Sequence, residues 1–489
     1  MDYSYKAASI AIDRFLRPVC GAFNFLPARH DMALINGGSA LVPQTDWGSG
    51  VMAEQKRGSG RRILQSGAWL FLPKTTSAVL SLIYLAVSTQ SLGAAEFGKF
   101  MLIFSFAQTI SSFTSFQTWQ ILIRYGTTLV HTKSDQKLAE LTWFCLILDI
   151  IGVLLAFLVA MVGAWALAYN QGWSDPEAIA VVGFTTLLVL SARSTPTGLL
   201  RINDRFGDAA IPDMLVPIIR LIGTGILVLT QPTAWGFLAV WLLSEMVPTI
   251  WVWGNVLRRL KLPLRLSSMP TLRGFQESFP GITKFALWSN MGSSFKLTSQ
   301  QVVAVVVGFS VGAAAAGFFR LGYQLGQVFA RVGDAISMAI FTEYARVAHT
   351  VDAKDASNLL SRMIKVSGVA AVLVLAIVGF AGKPALMWIF GAEFVAAYPL
   401  VLILGTATAI QFATLGLEPA LLTAGKAGRV MLCSLAGAIV VVLMMIWLMP
   451  TYGEVGAAFA MLGAAVVNAA LLVISYRQKI VAPKTADAA

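Results

Sequence analysis

The feature that most constrains this chain is a recurrence of apolar runs, each about 20 residues long, from about Leu64 to Ser475. Wound as a helix at 1.5 Å per residue, such a run crosses the roughly 30 Å of hydrocarbon in a bilayer. Inside lipid each segment must satisfy its own backbone polar groups, which requires helices here. The pattern predicts spans at 64–87, 100–123, 141–168, 178–200, 208–230 and 234–254, then at 283–305, 313–338, 365–388, 397–422, 428–449 and 455–475. Charged residues make up 12% of the 489, against roughly 25% in soluble chains. The expected fold is an all-α polytopic membrane protein. Its twelve transmembrane helices form two pseudo-symmetric six-helix bundles around a central cationic cavity.

The net charge of +12 invites a nucleic-acid partner, but its placement excludes one. Of the 36 Lys and Arg, 27 fall on or at the edges of alternate loops and on both termini, and only Lys99 and Lys383 fall on or near the opposite loops. An excess of Lys and Arg marks the cytoplasmic side, so both termini are expected there. The domain limits that follow are a cytoplasmic segment 1–60, bundles 61–257 and 283–476, a basic linker 258–282 and a tail 477–489.

The first sixty residues stand apart. Tyr5 to Phe25 is amphipathic and interrupted by Asp13, Arg14 and Arg17, and a Gly/Ser/Pro-rich stretch without periodicity follows. Such a segment is disordered or lies on the inner leaflet. Alternatively translation begins at Met52, where MAEQKRGSGRR is an ordinary basic lead-in. The three cysteines, Cys20, Cys145 and Cys433, are far apart, which predicts neither disulfides nor a metal site.

An internal repeat organises the rest. Ser91 to Phe100 (SLGAAEFGKF) and Ser310 to Phe319 (SVGAAAAGFF) share S-x-G-A-A-x-x-G-x-F at an offset of 219 residues, each between the first and second span of a set. Duplicated halves with an even number of spans run parallel about an axis along the membrane normal. Weaker echoes begin at Gly391 and Gly453.

The helix after the second copy carries Arg320, Gln324, Gln327, Arg331 and Asp334 at steps of four and three, on one face. The repeat offset maps these onto Met101, Ser105, Gln108, Ser112 and Ser115, an uncharged polar face on the second span. Ser289, Ser293, Lys296 and Gln300 share a face of the seventh span, as Lys74, Ser77 and Ser81 do on the first. Arginines facing lipid are costly, so these faces should look into protein or water. Lys74, Lys296 and Arg320 have no carboxylate three or four residues away and lie too deep to snorkel easily. That predicts a cavity for an anion, with arginine's fork suited to phosphate oxygens. Arg331 has two readings, a cavity ligand or a partner of Asp334 near the inner end.

Among the acids, Asp149, Glu245 and Glu418 are candidates for ion coupling, and Asp334 for gating, with structural pairing the alternative for each. Arg220 has two readings, a pair with Asp149 or Glu245 or a contact to substrate, and Asp213 is expected to cap a helix start. No Walker A motif, catalytic constellation or large outer loop occurs in the sequence. No direct ATP site or catalytic centre is therefore expected, and no cofactor.

Several stretches resemble a known family. SLGAAEFGKF, the GRR lead-in, LLRINDRF (Leu199 to Phe206), FGAEFVAAYPLV (Phe390 to Val401) and LLTAGKAGR (Leu421 to Arg429) are similar to Wzx-type polysaccharide flippases. These belong to the multidrug/oligosaccharidyl-lipid/polysaccharide exporter superfamily, and the resemblance covers about residues 57–478. It implies flipping of undecaprenyl-diphosphate-linked oligosaccharide across the bacterial inner membrane by ion-coupled alternating access, with H+ or Na+ as the ion. It implies a monomer that meets the polymerase and export machinery. Basic residues on spans one, two, seven and eight would engage the diphosphate, here Lys74, Lys296, Arg320 and Arg331, with Gln108, Gln324 and Gln327 beside them. The second span departs from that pattern in carrying no base. The alternative is a small-molecule or drug exporter of the same superfamily, which would need acidic faces instead.

Overall fold

The computed structural model describes residues 48–260, 278–327, 375–414 and 427–481, with isolated positions 275, 368, 369, 371, 372, 416–418 and 421. Side chains are described within these stretches except at 48–76, 78, 288, 289, 291–300, 427 and 477–481. The chain divides into Met1–Gly60 and Arg61–Ala489. The described part of the first unit, 48–60, is helical.

The second unit is helical throughout its described residues, apart from turns and bends. We label α1 (Gly48–Thr114), α2 (Thr118–Ile121), α3 (Thr127–His131), α4 (Asp135–Gln171), α5 (Asp175–Leu190), α6 (Ser194–Ile202), α7 (Phe206–Leu229), α8 (Ala234–Leu260) and α9 (Ile282–Ser310). After these come α10 (313–327), α11 (Leu375–Phe390), α12 (Tyr398–Ala413) and α13 (Ala427–Val481). Seven helical stretches among the described residues are long and apolar enough to cross a membrane.

The packing of α4 shows what solvent this fold is built for. Gly152, Ala156, Ala160 and Ala164 face inward at steps of four, while Ile150, Leu154, Leu158 and Val162 are exposed on the other side. Small residues let helix backbones approach, and large apolar side chains lose nothing by facing lipid. In water the same surface would be a contiguous apolar patch.

Helix hairpins are made by glycine. The motif glycines Gly93 and Gly312 have φ of 69° and 126°, and the echo glycines Gly391 and Gly453 have 105° and 55°. A side chain is strained in that region, so each repeat of the motif marks a place where one helix ends and the next begins. At Gly93 and Gly453 the break is so tight that the helices on both sides run on almost without a loop. All four turns gather at one end of the bundle. The Ala94 N–H donates to Glu393 Oε2 at 2.8 Å, and a Cβ on Gly453 would lie 3.8 Å from Val311. The other end carries the arginines Arg124, Arg201, Arg205, Arg258 and Arg259, at or near helix termini.

Two spans expected to be continuous are interrupted. The second stops at Thr114, unwinds over 115–117, and resumes as α2, a π-helical turn (Leu122–Gly126) and α3. Ser and Thr in the run Ser111 to Thr118 compete for backbone bonds: Ser112 Oγ donates to Gln108 O and Thr114 Oγ1 to Ile110 O. The fourth span breaks over 191–193, between α5 and α6. Pro196 is the reason, because its ring has no N–H and clashes with the carbonyl of residue 192 in a continued helix.

Candidate functional site

The two motif copies meet face to face. Gly98 and Gly317 hold the same place in the repeat, and a Cβ on Gly317 would lie 2.8 Å from Gly98 Cα. A Cβ on Gly98 would lie 2.7 Å from Ala314 Cα and closer still to the Ala313 carbonyl. Neither position admits any side chain. The backbones of α1 and α10 are therefore sealed together at the glycine-turn end. Phe97 and Phe318 flank the seal, both edge-on to Phe394 at 5.3 and 5.7 Å between centroids. Gln90 Nε2 donates to Ile389 O at 2.7 Å and Gln171 Nε2 to Gly308 O at 3.0 Å, further ties between the N- and C-terminal helices. Lys99 pairs with Glu177, lying over the Trp173 and Trp235 rings at 5.3 and 5.8 Å.

Arg320 lies one turn beyond Gly317. Its residue is 7% exposed, and Nη1 donates to Gln301 Oε1 at 2.5 Å. The guanidinium sits 5.8 Å from the centroid of Phe104 on α1 and 5.7 Å from that of Tyr323. Its Nε has no partner, and among the described residues no carboxylate lies within ion-pairing distance. Ser105 and Gln324, related by the repeat offset, each hold a buried oxygen without a partner, Oγ and Oε1. A buried charge and two buried acceptors left short of partners are costly in a folded protein. They are also what a polar ligand would complete.

Gln108 and Gln327 are half-buried, farther along the same two helices. The second and eighth spans thus touch at their sealed end, where Arg320 packs over Phe104. Lys74 and Lys296 fall in helices α1 and α9, with side chains outside those described, and Arg331 and Asp334 lie outside the described residues. Sequence reasoning missed Gln301 as the partner of Arg320, having placed the neighbouring Gln300 on the polar face. It also missed Phe104, an apolar residue beside the stripe.

The acids separate by their partners. Glu245 receives Arg193 Nη1 and Arg220 Nη2, each at 2.8 Å, and Arg193 also lies 3.8 Å from Asp213. Arg220 is buried, donates to Ser244 Oγ at 2.9 Å, and lies 4.9 Å from the Trp241 centroid. Of the two acids open to Arg220 by sequence, Glu245 takes it. Asp213 does not cap a helix start: α7 begins at Phe206, its first-turn acid is Asp208, and Asp213 is exposed. Glu418 is half-buried and has a partner of its own.

Two arginines sharing one carboxylate make Glu245 a structural keystone. Removing one member of a buried ion pair costs about 3–5 kcal/mol, and Glu245→Ala would strand Arg220 and leave Arg193 only the longer contact to Asp213. We expect loss of thermal stability near the low end of that range, because the side chains keep some exposure of 11–23%. Melting of the purified variant checks this, and an unchanged melting temperature contradicts it.

Interrupted helices, glycine hairpins and a sealed repeat interface over an underpaired arginine define a class of fold. The chain superposes with a TM-score of 0.67 on a multidrug resistance MATE family transporter of the MOP superfamily in an inward-facing conformation. That match has 14% identity and covers 84% of this chain and 96% of that one. It superposes with 0.62 on the lipid II flippase MurJ in an inward closed conformation, at 13% identity, covering 82% and 87%. The fold is the one these transporters share.

Within that fold, the chain belongs to the polysaccharide biosynthesis protein family, whose model matches residues 63–342. A relative is the inner membrane protein YghQ of Escherichia coli (strain K12), 27% identical over 357 residues, 70% of this chain and 97% of that protein.

Proposed function

We propose that this protein flips undecaprenyl-diphosphate-linked oligosaccharide from the inner to the outer leaflet of the bacterial inner membrane, by ion-coupled alternating access. The observation that carries the reading is Arg320, a buried guanidinium with an unpartnered Nε and no carboxylate within ion-pairing distance among the described residues. A diphosphate supplies the missing acceptors, since a planar fork binds two phosphate oxygens at once. Lys74 and Lys296 add point charge from the first and seventh spans, and Arg331, Gln108, Gln324 and Gln327 extend the path. The prenyl tail stays in lipid while the headgroup crosses.

Membership of the polysaccharide biosynthesis family supports the substrate class. The named location of YghQ supports the inner membrane, and the excess of Lys and Arg supports cytoplasmic termini. On this reading the glycine-turn end faces outward and the protein rests sealed there, open toward the cytoplasm. The two bundles, 61–257 and 283–476, rock about the shared site. A drug exporter of the same fold needs acids where this chain has Arg320.

The test is complementation of a deletion strain. A Lys74/Lys296/Arg320 triple alanine variant should reach the membrane at normal levels and restore no surface polysaccharide. Full restoration would overturn the cationic site.

A further inference from the structure

The two helix interruptions lie side by side, and Asp149 joins them. Thr195, on the first turn of α6 just after the break in the fourth span, has Oγ1 2.5 Å from Asp149 Oδ2 and 2.9 Å from Thr118 Oγ1. Thr118 starts α2, just after the break in the second span, and its Oγ1 lies 3.4 Å from Asp149 Oδ1. The Trp119 N–H donates to Ser194 Oγ at 3.1 Å, a second tie between the resumed helices. Gly152, one turn beyond Asp149, lies against the Thr114 carbonyl with no room for a Cβ. One carboxylate on an unbroken helix, α4, therefore holds the restart points of two broken ones.

Among the described residues, the charged groups on the elements around that carboxylate are engaged elsewhere or exposed. On its own helix the titratable neighbour is Cys145, whose thiol lies 3.9 Å from Thr118 O. From the α6 side, Arg193 is held by Glu245 and Asp213. On the π-helical turn after α2, Arg124 is stacked over Phe285 at 4.4 Å. On α9 the described charged side chain, Lys284, is exposed. Among the described residues no cation lies within ion-pairing distance of Asp149.

We propose that Asp149, Thr195 and Thr118 form a proton-binding site that couples protonation to the joint between the second and fourth spans. The proposal deepens the reading above by assigning its coupling ion and where that ion binds. The hydroxyl of Thr195 has one hydrogen and two acceptors in reach, which is the basis of the switch. With Asp149 ionised, Thr195 and Thr118 both donate to the carboxylate. Uptake of a proton forms an O–H on the carboxyl, which donates to the Thr195 oxygen. Thr195 then turns its own hydrogen to Thr118, whose hydrogen stays on the carbonyl oxygen of the acid. The bond between Asp149 and Thr195 reverses direction without any other group gaining or losing a proton. Interrupted helices are where membrane transporters place ion sites, because irregular backbone is tolerated beside a polar cavity.

Infrared difference spectra of the purified full-length protein in lipid nanodiscs, between alkaline and acidic buffer, read the site without any transported substrate. We expect a carboxylic-acid C=O band on acidification that is absent in Asp149→Asn. Thr195→Val should keep the band and shift its frequency, because the acid loses its hydrogen-bond acceptor. It serves if Asp149→Asn fails to fold. No band attributable to Asp149 over the stable pH range would overturn the proposal. So would a band that sodium chloride removes at constant pH, which would assign the site to sodium. The spectra stand whether or not the lipid-linked substrate is correct, so the two readings fail separately.

Discussion

Arg320→Ala should abolish transport while leaving the protein as stable as the unmodified chain. The two halves of that expectation come from one observation. A buried guanidinium with no carboxylate beside it adds little to folding, because its desolvation offsets its bonds. Its contacts are Gln301 at 2.5 Å and the faces of Phe104 and Tyr323. Losing these alongside the charge should change stability by no more than about 1 kcal/mol, near the net worth of one hydrogen bond. For the substrate the balance differs. A hydrogen bond to a charged group contributes about 1.5–3 kcal/mol, and a fork on a diphosphate makes two. At about 1.4 kcal/mol per tenfold, binding of a diphosphate-bearing lipid should weaken by roughly a hundredfold or more. Arg320→Lys, which keeps charge and loses the fork, should fall between. Thermal melting together with a fluorescent-lipid flipping assay in proteoliposomes measures both. An Arg320→Ala protein that melts early and still transports would reverse the assignment.

Gly98→Leu should be equally inactive for a different reason. The Cβ alone would meet backbone atoms, 2.7 Å from Ala314 Cα, and backbone cannot swing aside as a side-chain tip can. Overpacking a tight contact costs about 1–3 kcal/mol even where side chains can yield. That penalty falls only on the sealed state, so the sealed-to-open ratio should drop by up to about a hundredfold at 1.4 kcal/mol per decade. Gly98→Ala should already show a clear defect, as should Gly317→Leu. A cysteine placed at Gln324, beyond the seal, reports the state. It should resist a membrane-impermeant thiol reagent in the otherwise unmodified protein and react with it in the Gly98→Leu background. Protection in both would show that the seal does not control access. Unlike Arg320→Ala, this variant should bind substrate and fail to move it.

How much of this was legible in the sequence depends on what kind of interaction decides each feature. The motif S-x-G-A-A-x-x-G located both hairpins, because positive φ there favours glycine, while the seal between its two copies emerged only in the structure. Its echoes at Gly391 and Gly453 proved to be the same kind of turn, which the weak sequence match undersold. The interruptions were readable but unread. Pro196 inside an apolar run, and the hydroxyl-rich stretch from Ser111 to Thr118, both argue against a continuous helix. Hydropathy outweighed them, since it measures only whether a segment belongs in lipid. Gln301 was missed because one residue turns a helix by about 100°, and a face drawn by counting has that much error.

The sequence by itself determined that this is a membrane protein built of helices, where those helices turn, and that one face carries charge without local partners. Each follows from a local rule: lipid offers no hydrogen bonds, positive φ excludes side chains, and i±4 neighbours are known by counting. Tertiary structure alone decided partners across helices. It gave Glu245 to both Arg193 and Arg220 and left Asp149 to two threonines. It set Gly98 against Gly317 and Arg320 against Gln301. Such choices depend on where helices cross and how they are rotated, and spacing along one chain carries no record of either.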